Sequence, residues 1–189
     1  DNSNIEAVNE EGDAVSVYGY ALSGEHTFVL SNSGFIVVDL MSVDEVANEN
    51  DDSTPTDNDG EYTFTFDVTA EGEDMYLGKN GEIMAPLNDT VTYIYRVLES
   101  GGDNLRNHDF DSVVPTMTST VVDSNDTSNA YHLQEGETRR FVVTITIDPV
   151  ESGNYKLFLE QLAYSSNANM GHAKALNLSS DFKSGYLSI

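Results

Sequence analysis

Clusters of oxygen ligands are the residues of this chain whose types and spacing could do chemistry. They are Asp57-Asn58-Asp59-Gly60-Glu61, Asp123-Ser124-Asn125-Asp126-Thr127, and Asp103-Asn104 near Asp109 and Asp111. Hard cations take about six to eight oxygens, which makes Asp57, Asp59 and Glu61, and likewise Asp123, Asn125 and Asp126, candidate calcium ligands. Neither run is an EF-hand. Pro55 stands where the first Asp belongs and Phe66 where the bidentate Glu should be, while the second run has Ser128 in place of the loop glycine and ends at Gln134. The competing reading is that these are solvated turns whose Asp and Asn side chains bond the nearby backbone.

Catalytic patterns are missing: the sequence holds no G-x-S-x-G elbow, no H-E-x-x-H and no phosphate-cradling glycine loop. The four histidines are scattered, and His26 and His132 fall in strand-like runs. A carboxylate pair for glycoside hydrolysis is defined by a separation of about 5–10 Å, which no sequence supplies. Ten tyrosines and eight phenylalanines could stack on sugars, yet there is no tryptophan, and Tyr62, Tyr93, Tyr95 and Tyr155 occupy core-parity positions. Three sequons, at Asn88, Asn125 and Asn177, are candidate glycan acceptors. The expectation is a non-enzymatic protein with no small-molecule substrate and no cofactor other than calcium.

The elements that must position these residues are strands. Tyr62, Phe64, Phe66 and Val68 alternate with Thr63, Thr65, Asp67 and Thr69, the period of two that turns one face to a core. The same alternation runs through Arg140–Asp148, with Phe141, Val143, Ile145 and Ile147 inward, and through Asn154–Ala163. Shorter strand-like runs are Val15–Leu22, His26–Leu30, Phe35–Leu40, Asp74–Leu77, Val91–Leu98, Ser119–Val122, Tyr131–Leu133, His172–Leu178 and Tyr186–Ile189. Short β-branched and aromatic runs separated by Gly, Asn, Asp and Ser spell an all-β sandwich. Only Val43–Asn48 and Leu105–Phe110 have the pattern of a helical turn. Asn80-Gly81 predicts a two-residue hairpin, and Gln134–Glu137 and Pro149–Gly153 predict further antiparallel neighbours. The polar tract 47–60 is read as a long acidic loop within the domain.

Charge divides the chain unevenly. No lysine or arginine precedes Lys79, whereas nineteen of the thirty-three acids do, within a net charge of −25. Binding to nucleic acid is excluded by the scarcity of phosphate-neutralising bases. The longest apolar run, Phe35-Ile36-Val37-Val38, is far short of the roughly twenty residues a membrane helix needs, so no membrane insertion is expected. With no cysteine, the fold rests on burial and backbone pairing. Asp1 in place of a methionine reads as a processed chain.

The run Gly60–Ala70, then Glu73-Asp74-Met75-Tyr76-Leu77, then Leu133–Thr138 leading into Phe141–Pro149 and Gly153-Asn154-Tyr155, resembles immunoglobulin-like modules of secreted surface proteins from small uncultured bacteria. The resemblance spans residues 27–165. It implies an immunoglobulin-like antiparallel sandwich, an outward-facing location and no active site. The chain is accordingly divided into an N-terminal strand segment, 1–26, and a sandwich domain, 27–189.

Both ends then carry more strand-forming sequence than a minimal sandwich of about seven strands uses. Val15, Val17, Tyr18, Tyr20 and Leu22 can extend the protein's own sheet or complete the edge of a second copy, and both fates remain open. Pairing between copies would bring the acidic N-terminal segment to bases such as Arg96, Arg106, Arg139, Arg140, Lys156, Lys174 or Lys183 of the neighbour. The expected function is an extracellular structural subunit that self-assembles into a surface filament or layer, with copies of itself as partners. The alternative is a monomeric, calcium-stabilised adhesive surface module.

Overall fold

A computed structural model describes residues 34–48, 59–88 and 90–189, together with the strand pair Ala7–Val8 (β1) and Ala14–Val15 (β2). The chain divides into a unit of residues 1–31 and one of residues 32–189. In the first, β1 and β2 pair antiparallel, with Ala7 opposite Val15. Val17, Tyr18, Tyr20, Leu22 and the run His26–Leu30 lie outside the described residues, as does Asp57.

The second unit is a β-sandwich. One sheet has four antiparallel strands in the order β3 (Phe35–Asn48), β4 (Asp59–Glu71), β10 (Thr138–Pro149) and β8 (Phe110–Ser119). The other is built from β5 (Met75–Gly78), β6 (Gly81–Ile83), β7 (Tyr93–Glu99), β9 (Ala130–Leu133), β11 (Asn154–Ser165), β12 (Lys174–Asn177) and β13 (Leu187–Ser188). Its path is β6-β7-β11-β5-β9, with β12 and β13 also paired to β11. The described residues contain no α-helix, and no helix among them is long and apolar enough to cross a membrane.

The alternation read in the sequence sets the inner faces. Tyr62, Phe64, Phe66 and Val68 of β4 and Phe141, Val143, Ile145 and Ile147 of β10 are fully buried, against Tyr93, Tyr95 and Val97 of β7 and Tyr155, Leu157 and Leu159 of β11. Each such side chain contributes about 1.5–3 kcal/mol on burial, so this core is the main source of stability. Phe66 stacks on Phe141 at 6.2 Å and meets Phe182 edge-on at 5.8 Å. Among the hydrogen bonds that tie the layers together are those from Tyr62 Oη to the carbonyl of Tyr155 at 2.9 Å and from Tyr131 Oη to the carbonyl of Met117 at 2.7 Å.

Several expectations give way to this topology. Val43–Asn48 is the second half of strand β3, because the register slips between Leu40 and Ser42 and the inward parity resumes at Val43. The acidic tract joins two antiparallel neighbours whose ladder reaches Asn48 opposite Asp59, so residues 47, 48, 59 and 60 are strand. Asn80-Gly81 makes no hairpin: β5 pairs with β9 and β11, while β6 runs parallel to β7. The turns 134–137 and 149–153 carry the chain from one sheet to the other rather than between paired strands. Gly136, at φ +75°, supplies the left-handed step of the first.

Strand β8 covers residues 110–119, where a strand was expected only from Ser119 onward, and Thr120–Val122 leave the ladder. Tyr186–Ile189 is not a spare strand. β13 pairs with β11, and the N–H and C=O of Ile189 bond those of Gly153.

Candidate functional site

The loop 120–129 returns the chain from β8 to β9, and its acids converge on β9 and β10. Asp123 Oδ2 lies 2.8 Å from Nδ1 of His132, and Asp74 Oδ2 stands 3.5 Å from the other ring nitrogen. Asp126 Oδ1 accepts from the backbone N–H of His132 at 2.8 Å and from Arg139 Nη1 at 3.0 Å. Arg139 is 1% exposed and also donates to Ser119 Oγ and to the carbonyls of Val121 and His132. A buried guanidinium needs this many acceptors to offset its lost hydration.

The electrostatics follow from the contacts. The backbone N–H of Asn125 and then His132 hold the Asp123 carboxyl below its ordinary range. Burial works against the Asp126 carboxylate, but the hydrogen bond from Arg139 and the backbone N–H groups outweigh it and lower its pKa. Burial likewise opposes the His132 imidazolium, and the hydrogen bond to Asp123 together with Asp74 more than compensates, so its pKa is raised.

Two of the candidate calcium ligands, Asp123 and Asp126, are therefore engaged by the protein's own cationic side chains. Asn125 lies beside them, exposed, its N–H bonded to Asp123 Oδ1 in an Asx turn. Asp59 and Glu61 sit at the start of β4, opposite Asn48 and Val46. Among the described residues no three His, Asp or Glu side chains are placed to hold a metal ion. Asp103 and Asp109 line a cavity of about 540 Å³ together with Glu99 and Glu151; Asp111 is not part of it. Burial, and then Glu99, Glu151 and Asp109, push the Tyr155 hydroxyl's pKa upward there.

Asn88, Asn125 and Asn177 are all exposed. Asn88 Oδ1 accepts from Thr90 Oγ1 at 2.7 Å and from the N–H groups of Thr90 and Val91 at 2.8 Å. Asn177 Oδ1 accepts from Gln161 Nε2 at 2.7 Å.

Six of the seven bases expected to face a neighbour divide into two groups, and Arg106, exposed, joins neither. Arg139 is buried, Arg140 forms a bidentate pair with Asp67 at 2.7 and 2.9 Å, and Lys174 donates to the carbonyl of Gly34. These three are engaged by the protein's own groups, although only Arg139 is buried. Arg96, Lys156 and Lys183 gather on the outward face of β7 and β11, a grouping hidden in the sequence because 87 residues separate its ends.

The remaining structural feature is a strand edge. Among the described residues nothing pairs with the outer side of β3. Phe35, Val37, Met41 and Val46 are 41–53% exposed along it, while Ile36, Val38 and Leu40 pack on the core. The opposite edge, β8, carries Pro115 with no break in register from Phe141 to Asp148. That uninterrupted ladder places the missing N–H on the outward side.

No family model matches the chain, and no curated protein matches it. The X-ray structure of Northeast Structural Genomics Consortium target SoR45 is similar at 12% identity over 80% of this chain and 86% of that one, with a TM-score of 0.40.

Proposed function

We propose that this chain is an extracellular, non-enzymatic structural subunit, built on an immunoglobulin-like sandwich, that assembles into a surface filament or layer by strand addition between copies. The observation that carries the reading is the β3 edge: fourteen residues long, free of proline, and apolar on both faces over Phe35–Leu40 except at Asp39. Natural edges are blunted by proline, charge or short length, as β8 is by Pro115, and an edge left open is a template for another strand. A donor strand adds main-chain hydrogen bonds along its whole length and sets side chains beside Phe35 and Val37. Residues 15–22, with Val15, Val17, Tyr18, Tyr20 and Leu22, supply the alternation such a donor needs. A contact of this kind, repeated without closure, makes a polymer.

Negative-stain microscopy of the native protein should show fibres or a lattice, and both deletion of residues 1–22 and the pair Val37→Lys and Met41→Lys should abolish them. Monomeric native protein would overturn the reading. Normal polymers from the truncated chain would remove residues 15–22 as the donor.

A further inference from the structure

We propose that the outward face of β7 and β11 binds an acidic polysaccharide, one bearing carboxylate or sulfate groups on its sugar rings. Three of the chain's eight bases meet on this face. Arg96 lies 4.2 Å from the centre of the Phe158 ring, and Lys156 stands 5.7 Å from the same ring and 5.2 Å from that of Tyr186. Lys183 is brought alongside by its backbone bridge to Phe158 and is exposed. Glu160 Oε1 accepts from Arg96 Nε at 2.6 Å, and among the described residues no carboxylate is ion-paired with Lys156 or Lys183. In a protein of net charge −25 such a grouping makes a local potential opposite to that of the rest of the surface.

The rings do not merely cover the sheet. Cations held over aromatic faces lose little further freedom when an anion arrives, so the site is arranged before its ligand binds. Beside the charges runs a groove of about 380 Å³, lined by Arg96, Lys183 and Glu160, by apolar side chains such as Leu159 and Leu178, and by the neutral hydrogen-bonding groups of Gln161, Asn177, Ser179 and Ser180. Amides and hydroxyls suit sugar hydroxyls, the cations suit an acidic substituent, and Tyr186, half exposed, offers a ring to stack on a pyranose. An acidic peptide would use the cations but has no need of the amide and hydroxyl row, and this difference favours the glycan.

Calorimetry with oligogalacturonate at low ionic strength tests the assignment, with a neutral cello-oligosaccharide and polyglutamate as comparison ligands. Wild-type protein should bind oligogalacturonate and bind the neutral sugar far more weakly. The pair Lys156→Gln and Lys183→Gln should weaken binding at least about tenfold without changing the melting temperature, and Lys174→Gln, on the internally bonded lysine, should leave it unchanged. No binding by the wild type, equal binding by the double variant, or polyglutamate bound as tightly as oligogalacturonate would each overturn the proposal. None of these readouts depends on polymer formation, so they stand apart from the strand-addition reading.

Discussion

The guanidinium of Arg139 donates to both carboxylate oxygens of Asp126, Nη1 to Oδ1 at 3.0 Å and Nη2 to Oδ2 at 3.2 Å. This pair fastens the 120–129 loop to β10. Replacing Asp126 by Ala strands a buried cation, and such losses reach about 3–5 kcal/mol where both partners are fully enclosed. Asp126 keeps 14% side-chain exposure, and water screens part of the attraction, so the expected loss is about 2–3 kcal/mol. Urea denaturation of the variant measures it. A midpoint equal to wild type would show that the remaining acceptors hold Arg139 without Asp126.

His132 gives stability a pH dependence. Its folded-state pKa is raised, so the stabilisation is fully present below the unfolded value of about 6.5 and is lost as pH rises through the folded value. Asp123 and Asp126 have lowered pKa values, so their contribution is present above about 3.9 and disappears as pH falls through the folded values. Melting temperature against pH should therefore be highest on the mildly acidic side of neutrality, and His132→Gln should remove the decline on the alkaline side. A profile unchanged by that substitution would contradict the assignment.

Two core tyrosines should respond in opposite ways to loss of the hydroxyl. Tyr62 Oη bonds the Tyr155 carbonyl across the sandwich, and Tyr62→Phe should cost about 0.5–1.5 kcal/mol. The hydroxyl of Tyr93 is buried with no hydrogen-bond partner among the described residues, so Tyr93→Phe should be neutral or stabilising. Thermal unfolding of the two variants side by side decides the point.

Pro115 blunts the β8 edge. Pro115→Thr restores an N–H on that side and should increase association, read as a larger mass by light scattering, with a stability change of about 0.4–1 kcal/mol from the freer unfolded chain. An unchanged mass would mean that other features of β8 already close it.

The inner faces were legible because their alternation is continuous: the residues expected inward on β4 and β10 are the ones buried. What misled was phase and adjacency. The slips at Leu40/Ser42 in β3 and Leu159/Gln161 in β11 shift the inward parity, and in β3 the displaced valines mimic a helical spacing. Pro115 disguised β8, an outer strand that can spare one N–H. Turn residues at 80–81, 134–137 and 149–153 announce a reversal but do not say whether the next strand joins the same sheet. The Asp123–His132 and Asp126–Arg139 contacts lay in plain sight by spacing, at 9 and 13 residues, yet Asp-rich runs read as turns or cation loops until a strand places a base beside them. The grouping of Arg96, Lys156 and Lys183 had no local signature at all.

Strand β11 is bonded to β7 and β5 along one side and to β12 and β13 along the other, so among the described residues no other strand has as many partners. Freeing the amides on its β7 side means separating the two central strands of this layer, whereas β12 or β13 can peel away alone. Deuterium uptake should therefore come last at the β11 amides that face β7, and earlier at Leu157 and Leu159, whose N–H groups donate to Ser184 Oγ and the Phe182 carbonyl of the C-terminal segment.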